Sequence, residues 1–395
     1  MVFHVSIFSQ MIALFNRNKF HRIVSKHDAE RYSKGFSSWD QFVSMMFCQL
    51  AQAKSLREIC GGLASCQGRI RYLGIKNSPV KSTLSYANAH RPWQLYQDLF
   101  YETLAKCQQE IPVKRKFRFK NKLLSLDSTT ISLCLSLFPW AKFRHTKGAV
   151  KLHLLLDHDG YLPTYAYISN GKKHDITVAR HISLAPGSIV AMDRAYNDYR
   201  LFNNWTDTNI YFVTRLKENA DYFVIKEQTV PKNSNILLDQ LIRFNSEKAQ
   251  KDCPHTLRII KVWDEEKQRE IVLLTNHLEF GATTISAVYK ERWQIELFFK
   301  AIKQNLKIKT FVGTSENALY TQIWTALIAM LLIKYLQFKS KVKWSLSNLI
   351  AFLRWNLFIH RDLWKWIDYP FEEPPIMPDQ RQYLLPFRNL DSIRY

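Results

Sequence analysis

The stretch 123-LLSLDSTTISL-133 sets the fold, because it is rich in apolar and β-branched residues and lacks a helical period, so it reads as a strand. Val150 to Asp157 and Tyr161 to Ile168 follow as a hairpin around Asp159-Gly160, and Ile176 to Leu184 reads as a helix. Ser188 to Met192 is a short apolar strand ending at Asp193, Tyr199 to Trp205 a helix, and Ile210 to Leu216 a further strand. Three antiparallel strands, helix, strand, helix, strand is the order of an α/β fold with a mixed sheet.

Downstream, Leu257 to Trp263 and Glu270 to Asn276 are strand-like, and residues 217–282 read as a β-rich insertion ahead of a long amphipathic helix, Thr284 to Leu306. Upstream, Ile7 to about Gln109 is helical throughout, with apolar residues recurring at three and four in Trp39 to Leu50 and Trp93 to Leu104. Ser55 to Leu63 and Val80 to His90 suggest helix, turn, helix, with Ser78 as N-cap and Pro79 at the first helical position. Lys81, Ser82, Ser85, Tyr86 and Asn88 then either face DNA or form the polar outside of an ordinary helical hairpin. Between Val113 and Leu123, the bases Lys114, Arg115, Lys116, Arg118, Lys120 and Lys122 occur without an acid, as a linker along a DNA backbone or a solvated connector. Helices Asn317 to Phe338 and Ser345 to His360 precede a tail bearing Pro374, Pro375 and Pro378. The expected division is an all-helical domain at 1–112, an α/β domain at 113–345 and a helical C-terminal region at 346–395.

The chain's 56 lysines and arginines against 34 acids leave a net charge of +22, which calls for a polyanionic partner. Nucleic acid fits best, since counterion release rewards basic groups and a 14% aromatic content supplies stacking surfaces. The apolar run Ile323 to Leu336 contains Trp324 and Thr325, is broken by Lys334 and falls short of the ~20 residues a membrane span needs, so no membrane partner is expected. Six scattered cysteines without a Cys-x-x-Cys pair argue against a zinc site or disulfide framework and fit a reducing cytoplasm.

Two aspartates follow apolar strand residues, Asp127 and Asp193, where their oxygens escape burial at a sheet margin. On the helix after the insertion, Tyr289, Arg292, Glu296 and Lys303 advance at roughly 100° per residue onto one face. Such a face either holds a metal beside a phosphate or is a solvated face with ion pairs such as Glu296 to Lys300. Two aspartates and a helical glutamate are the hard-oxygen set that magnesium favours. Asp157 and Asp159 suit a turn, and Asp175 and Asp198 suit helix caps. Lys172, Lys173 and His174 sit on a loop that either meets DNA or is plain surface, while His153 and His158 read as accommodated rather than metal-bound.

With Asp127 in Asp-Ser-Thr-Thr-Ile, Asp193 in Asp-Arg-Ala-Tyr, and Tyr289, Arg292, Glu296 and Lys303 at Tyr-x2-Arg-x3-Glu-x6-Lys, most of the chain resembles the bacterial insertion-sequence-four family of transposases. Ala195 stands where many relatives carry glycine. The resemblance implies a ribonuclease-H-like core with a β-strand insertion, and an Asp127, Asp193, Glu296 triad binding two Mg2+ or Mn2+ ions. It further implies that Tyr289, Arg292 and Lys303, with Lys300 and Arg194 nearby, engage DNA. Trp263 is the nearest tryptophan to hold a flipped base, or else a packed strand residue. A cytoplasmic, nucleoid-associated transposase follows, acting on terminal inverted repeats and target DNA as a homodimer on paired ends. A nuclease on the same core, or a DNA-binding protein without catalysis, are the competing functions.

Overall fold

The computed structural model describes residues 5–372 apart from 32, 67–68, 113–114 and 145–146, so Lys114 and the proline-bearing tail lie outside the described residues. Among the described residues the N-terminal α-helices are α1 (Ile7–Ala13), α2 (Arg17–Lys26), α3 (Ser38–Ala51), α4 (Leu56–Ala64), α5 (Lys81–His90) and α6 (Gln94–Glu110). Local chemistry starts several of them. The Ser37 hydroxyl accepts from the Asp40 amide while the Asp40 carboxylate accepts from the Ser37 amide, a reciprocal cap on α3. Ser55 caps α4, but α5 begins at Val80 without a side-chain cap. Ser78, expected as that cap, instead donates to the Cys60 carbonyl at 2.8 Å and ties the turn back to α4.

The strands are β1 (Leu123–Leu133), β2 (Lys142–Arg144), β3 (Lys147–Asp157), β4 (Leu162–Asn170), β5 (Ile189–Met192), β6 (Tyr211–Arg215), β7 (Tyr222–Glu227), β8 (Ile236–Phe244), β9 (Leu257–Asp264) and β10 (Arg269–Thr275). Interspersed are α7 (Asp175–Ala179), α8 (Tyr199–Asp207) and α9 (Glu247–Asp252). In the core, β3 lies between β4 and β1 and is antiparallel to both, and β5 and β6 continue the sheet parallel to β1. That order and polarity is the mixed sheet that the sequence order predicted, and it is ribonuclease-H-like, as the family resemblance implied. The insertion extends this same sheet, because β10 pairs antiparallel with β6 and passes the ladder to β9, β8 and β7.

Residues 189–192 are buried throughout, which explains why β5 reads as an unbroken apolar run. Val190 and Met192 join Leu124, Leu126 and the α8 residues Leu201, Phe202 and Trp205 on one sheet face. Ile189 and Ala191 join Leu123 and Val213 on the other, beneath Ile285 and Val288 of α10 (Ala282–Glu291).

Beyond α10 come α11 (Trp293–Asn305), α12 (Glu316–Lys339), α13 (Leu346–Asn356) and α14 (Leu363–Asp368). The expected single helix from Thr284 to Leu306 is thus two abutting segments. At Arg292 the backbone stays helical, but the Arg292 amide bonds to the Tyr289 carbonyl and that of Ile295 to the Arg292 carbonyl, a tightened turn between the two segments. Helix α12, apolar on every side, packs against α3, α5, α6 and α13. By length and composition it could cross a membrane, yet 89% of its apolar window is buried inside the protein, as befits a core helix. The N-terminal helices, α11 to α14 and strands β1, β3 and β4 share one apolar core.

Asn88, expected on a DNA-facing surface, is buried and accepts from the Gln41 amide at 2.9 Å, while Lys81, Ser82, Ser85 and Tyr86 are exposed. The expected helix over Ile176 to Leu184 closes after Ala179 in turns.

Candidate active site

Register places the two aspartates side by side. Leu126 of β1 pairs in parallel with Met192 of β5, so Asp127 and Asp193 follow at the same level of adjacent strands. Asp193 leaves the sheet and caps a short 3-10 turn, Arg194–Tyr196, accepting from the Ala195 amide at 3.1 Å. Its other oxygen accepts from Arg215 at 2.9 Å. Glu296 lies in the first turn of α11, a helix that packs on β1. Arg292, at the junction of α10 and α11, places one nitrogen 2.6 Å from Glu296 and another 3.6 Å from Asp127.

Burial pushes the Asp127 carboxyl up to about 6, aided by the charges of Glu296 and Asp193 and opposed by the Ser128 amide and Arg292. Burial also acts to raise Asp193, but the Ala195 amide and the guanidiniums of Arg215 and Arg292 outweigh it and hold that carboxyl below its usual range. Two neighbouring carboxylates are thus split in opposite directions, a pattern concentrated at functional sites. Tyr289 completes the cluster. Its half-buried ring lies 5.8 Å from the Arg292 guanidinium, and burial raises its phenol against the pull of Arg292 and Arg215.

Residues 118–332 match the family described as Transposase DDE domain, which spans more than half of the chain. The chain belongs to the DDE transposases. Residues 4–76 match a domain of unknown function, DUF4372. The transposase is 28% identical over 275 residues to "Probable transposase for insertion sequence element IS5377" of Geobacillus stearothermophilus, covering 69% of this chain and 72% of that protein. It is 30% identical over 330 residues to "Putative transposase y4zB" of Sinorhizobium fredii, covering 82% and 90% respectively. A solved piggyBac transposase synaptic complex with hairpin DNA is a looser likeness, with a TM-score of 0.42 and 12% identity over 94% of this chain and 81% of that one.

Divalent-metal dependence is general to DDE transposases. Asp127, Asp193 and Glu296 fit such an ion in kind, because carboxylate oxygens are hard ligands and no thiol or imidazole intrudes among them. Among the described residues no three acidic, histidine or cysteine groups already stand at metal-holding spacing. Arg292 now neutralises Asp127 and Glu296, and its buried Nε has no hydrogen-bond partner. The carboxylates are gathered, and the guanidinium occupies the space between two of them.

The remaining sequence-predicted residues divide. Lys303 donates to the Thr129 hydroxyl at 2.5 Å and the Thr130 carbonyl at 3.0 Å, which pins α11 to β1 two residues beyond Asp127. Lys300 is exposed, and Glu296 is paired with Arg292 rather than with it. Arg194 points outward, 3.4 Å from the exposed Glu218. Trp263 lies half-buried on β9 opposite Glu270, outside the apolar clusters.

Sequence reasoning overlooked three neighbours of the site. Arg215, at the end of β6, reaches Asp193 across the strand order. Glu291 is buried beside Arg292, where it takes Lys116 at 2.5 Å and lies 3.8 Å from His158, fastening the basic linker to the end of α10. Trp293 exposes 49% of its surface at the start of α11. An exposed tryptophan beside a conspicuously polar helix face was the one signal available for any of them.

Proposed function

We propose that this transposase cuts an insertion sequence at its terminal inverted repeats and joins the freed 3′ ends to target DNA, with Asp127, Asp193 and Glu296 as ligands of two magnesium or manganese ions. The observation that carries the reading is the convergence of these carboxylates from β1, β5 and α11 on a shared electrostatic environment. Two such ions, when bound, would supply the Lewis acidity that an in-line displacement at phosphorus needs. Asp127 and Asp193 hold their oxygens at one level of the sheet, and Glu296 closes the set from the helix. Arg292, released from Glu296 and Asp127 when those charges are otherwise met, is suited to grip a phosphate through its planar fork. Tyr289 orients it, Lys303 keeps α11 seated, and the exposed Lys300, together with Arg194 once it exchanges Glu218 for a phosphate, meets the backbone of the DNA. Trp263 and the exposed Trp293 are rings that could stack an unpaired base.

The N-terminal helical segment, 1–112, binds the element's ends, with the exposed face of α5 and the linker bases Arg118 and Lys120 available to phosphates. Two ends must be held together for paired cutting and joining, so the working form is a homodimer on DNA, in the bacterial cytoplasm at the nucleoid. A labelled duplex carrying the inverted repeats, incubated with Mg2+ and the protein or Glu296→Gln, tests the reading. Cleaved and joined products with wild type alone are expected. Cleavage without joining makes the protein a nuclease, and products persisting in Glu296→Gln remove the proposed triad.

A further inference from the structure

Directly behind the catalytic strand lies a partly buried polar network that the reaction scheme does not use. Successive residues of β1 alternate between sheet faces, so Asp127 shares the α11 face with Thr129, while Ser128 lies on the opposite face with Leu124 and Leu126. There the Ser128 hydroxyl donates to Asp175 Oδ1 at 2.8 Å, and Lys151 Nζ donates to the same oxygen at 3.1 Å. His153, directly across from Ser128 in the ladder and wholly buried, places Nδ1 3.6 Å from that oxygen and shares a 2.9 Å hydrogen bond through Nε2 with Ser169. Tyr196, buried, keeps its hydroxyl near Ser128 but outside hydrogen-bonding geometry. Asp175 opens α7, yet its carboxylate is committed to β1 and β3, so the helix-cap role expected of it is not the one it plays.

Ser128 is the shared residue, because its amide also donates to Asp127 Oδ1 at 2.7 Å. We propose that Asp175 is a positioning residue for Asp127, acting through Ser128. The Asp175 carboxylate, held by Lys151, fixes the Ser128 side chain on the back of the sheet. That sets the Ser128 peptide, whose N–H restrains the Asp127 carboxylate on the front. Removing the brace leaves Asp127 present but free to rotate out of the ligand set, and outer partners of this kind typically govern ~10- to 100-fold in metal affinity. This inference rests on Asp127 being a metal ligand.

Calorimetric titration of the full chain with Mn2+ alone, without DNA, tests it across wild type, Asp175→Ala, Asp175→Asn, Ser128→Ala and the double variant Ser128→Ala/Asp175→Ala. Asp175→Ala and Ser128→Ala should each weaken Mn2+ binding by about 10-fold or more. The double variant should be no weaker than the worse single one, because both break one relay. Asp175→Asn keeps an acceptor for Ser128 and should recover most of the affinity, and it carries the test should Asp175→Ala fail to fold. Wild-type affinity in Asp175→Ala, or losses that add in the double variant, would overturn the relay. The same preparations are assayed for end cleavage: wild type that binds Mn2+ but cuts nothing removes the proposed function while the titration still decides the brace.

Discussion

Replacing Asp127 with asparagine should stabilise the metal-free protein at neutral pH, and the gain should vanish in acid. The folded carboxyl is pushed up to about 6 from an ordinary 3.8, so the fold favours its neutral form. Stability from such a group is complete below pH ~4 and is lost as pH rises through ~6. A shift of about two units at ~1.4 kcal/mol each puts the cost of the charged form at no more than about 3 kcal/mol at pH 7, since the carboxylate keeps some access to water. Asparagine preserves shape and carries no charge. In EDTA, Asp127→Asn should therefore melt a few degrees above wild type at pH 7 to 8, with the two curves converging by about pH 4. Calorimetric melting at unit intervals of pH checks this. Added Mg2+ should raise the wild-type midpoint and leave the variant nearly unmoved. A difference between the proteins that does not vary with pH, or a variant that melts lower at pH 7, would refute a buried, electrostatically strained Asp127.

Three further outcomes follow from neighbouring chemistry. Arg258 and Asp239 form a two-point ion pair at 2.8 and 2.6 Å, and both are buried in the β8–β9 region of the insertion. Arg258→Ala strands the aspartate and should cost about 3–5 kcal/mol in denaturant unfolding, part of which Arg258→Ala/Asp239→Ala should restore. Burial lowers the Lys334 ammonium to about 8, so Lys334→Met should raise the melting midpoint at pH 7, with the advantage fading as pH rises through 8 towards 10.5. Trp293→Ala removes an exposed ring and should leave stability within about 0.5 kcal/mol, yet weaken binding of frayed-end DNA by roughly tenfold in fluorescence anisotropy.

Much of this architecture was legible because the physical constraint was local. Strand β1 ran over the residues its composition marked, and β5 was visible as an apolar run because both its faces are covered. The shared face of Tyr289, Arg292 and Glu296 followed from helical angles, and the tightened turn at Arg292 did not undo it. Less visible was anything joining distant segments. Gln49 and Gln322 together bind the loop after α11 through Lys307, Thr310 and Val312, and so help seat the helix that carries Glu296. Nothing in either glutamine's neighbours in sequence marks that role, because its partners come from remote turns.

By itself, the sequence determined the mixed sheet, the order of its elements, the position of Asp193 at the end of β5 and the polar face bearing Glu296, whereas Asp127, expected at a strand end, lies inside β1 and is paired with Leu154 of β3. Periodicity and apolar runs write these into consecutive residues. Tertiary structure alone decided which groups pair: Arg215 with Asp193, Arg292 with Asp127 and Glu296, Lys303 with Thr129, and Asp175 with Ser128. It also decided that the insertion prolongs the catalytic sheet through β10 and β6. Charges and strand edges can pair with many equivalents along a chain, and only packing brings one of them within reach.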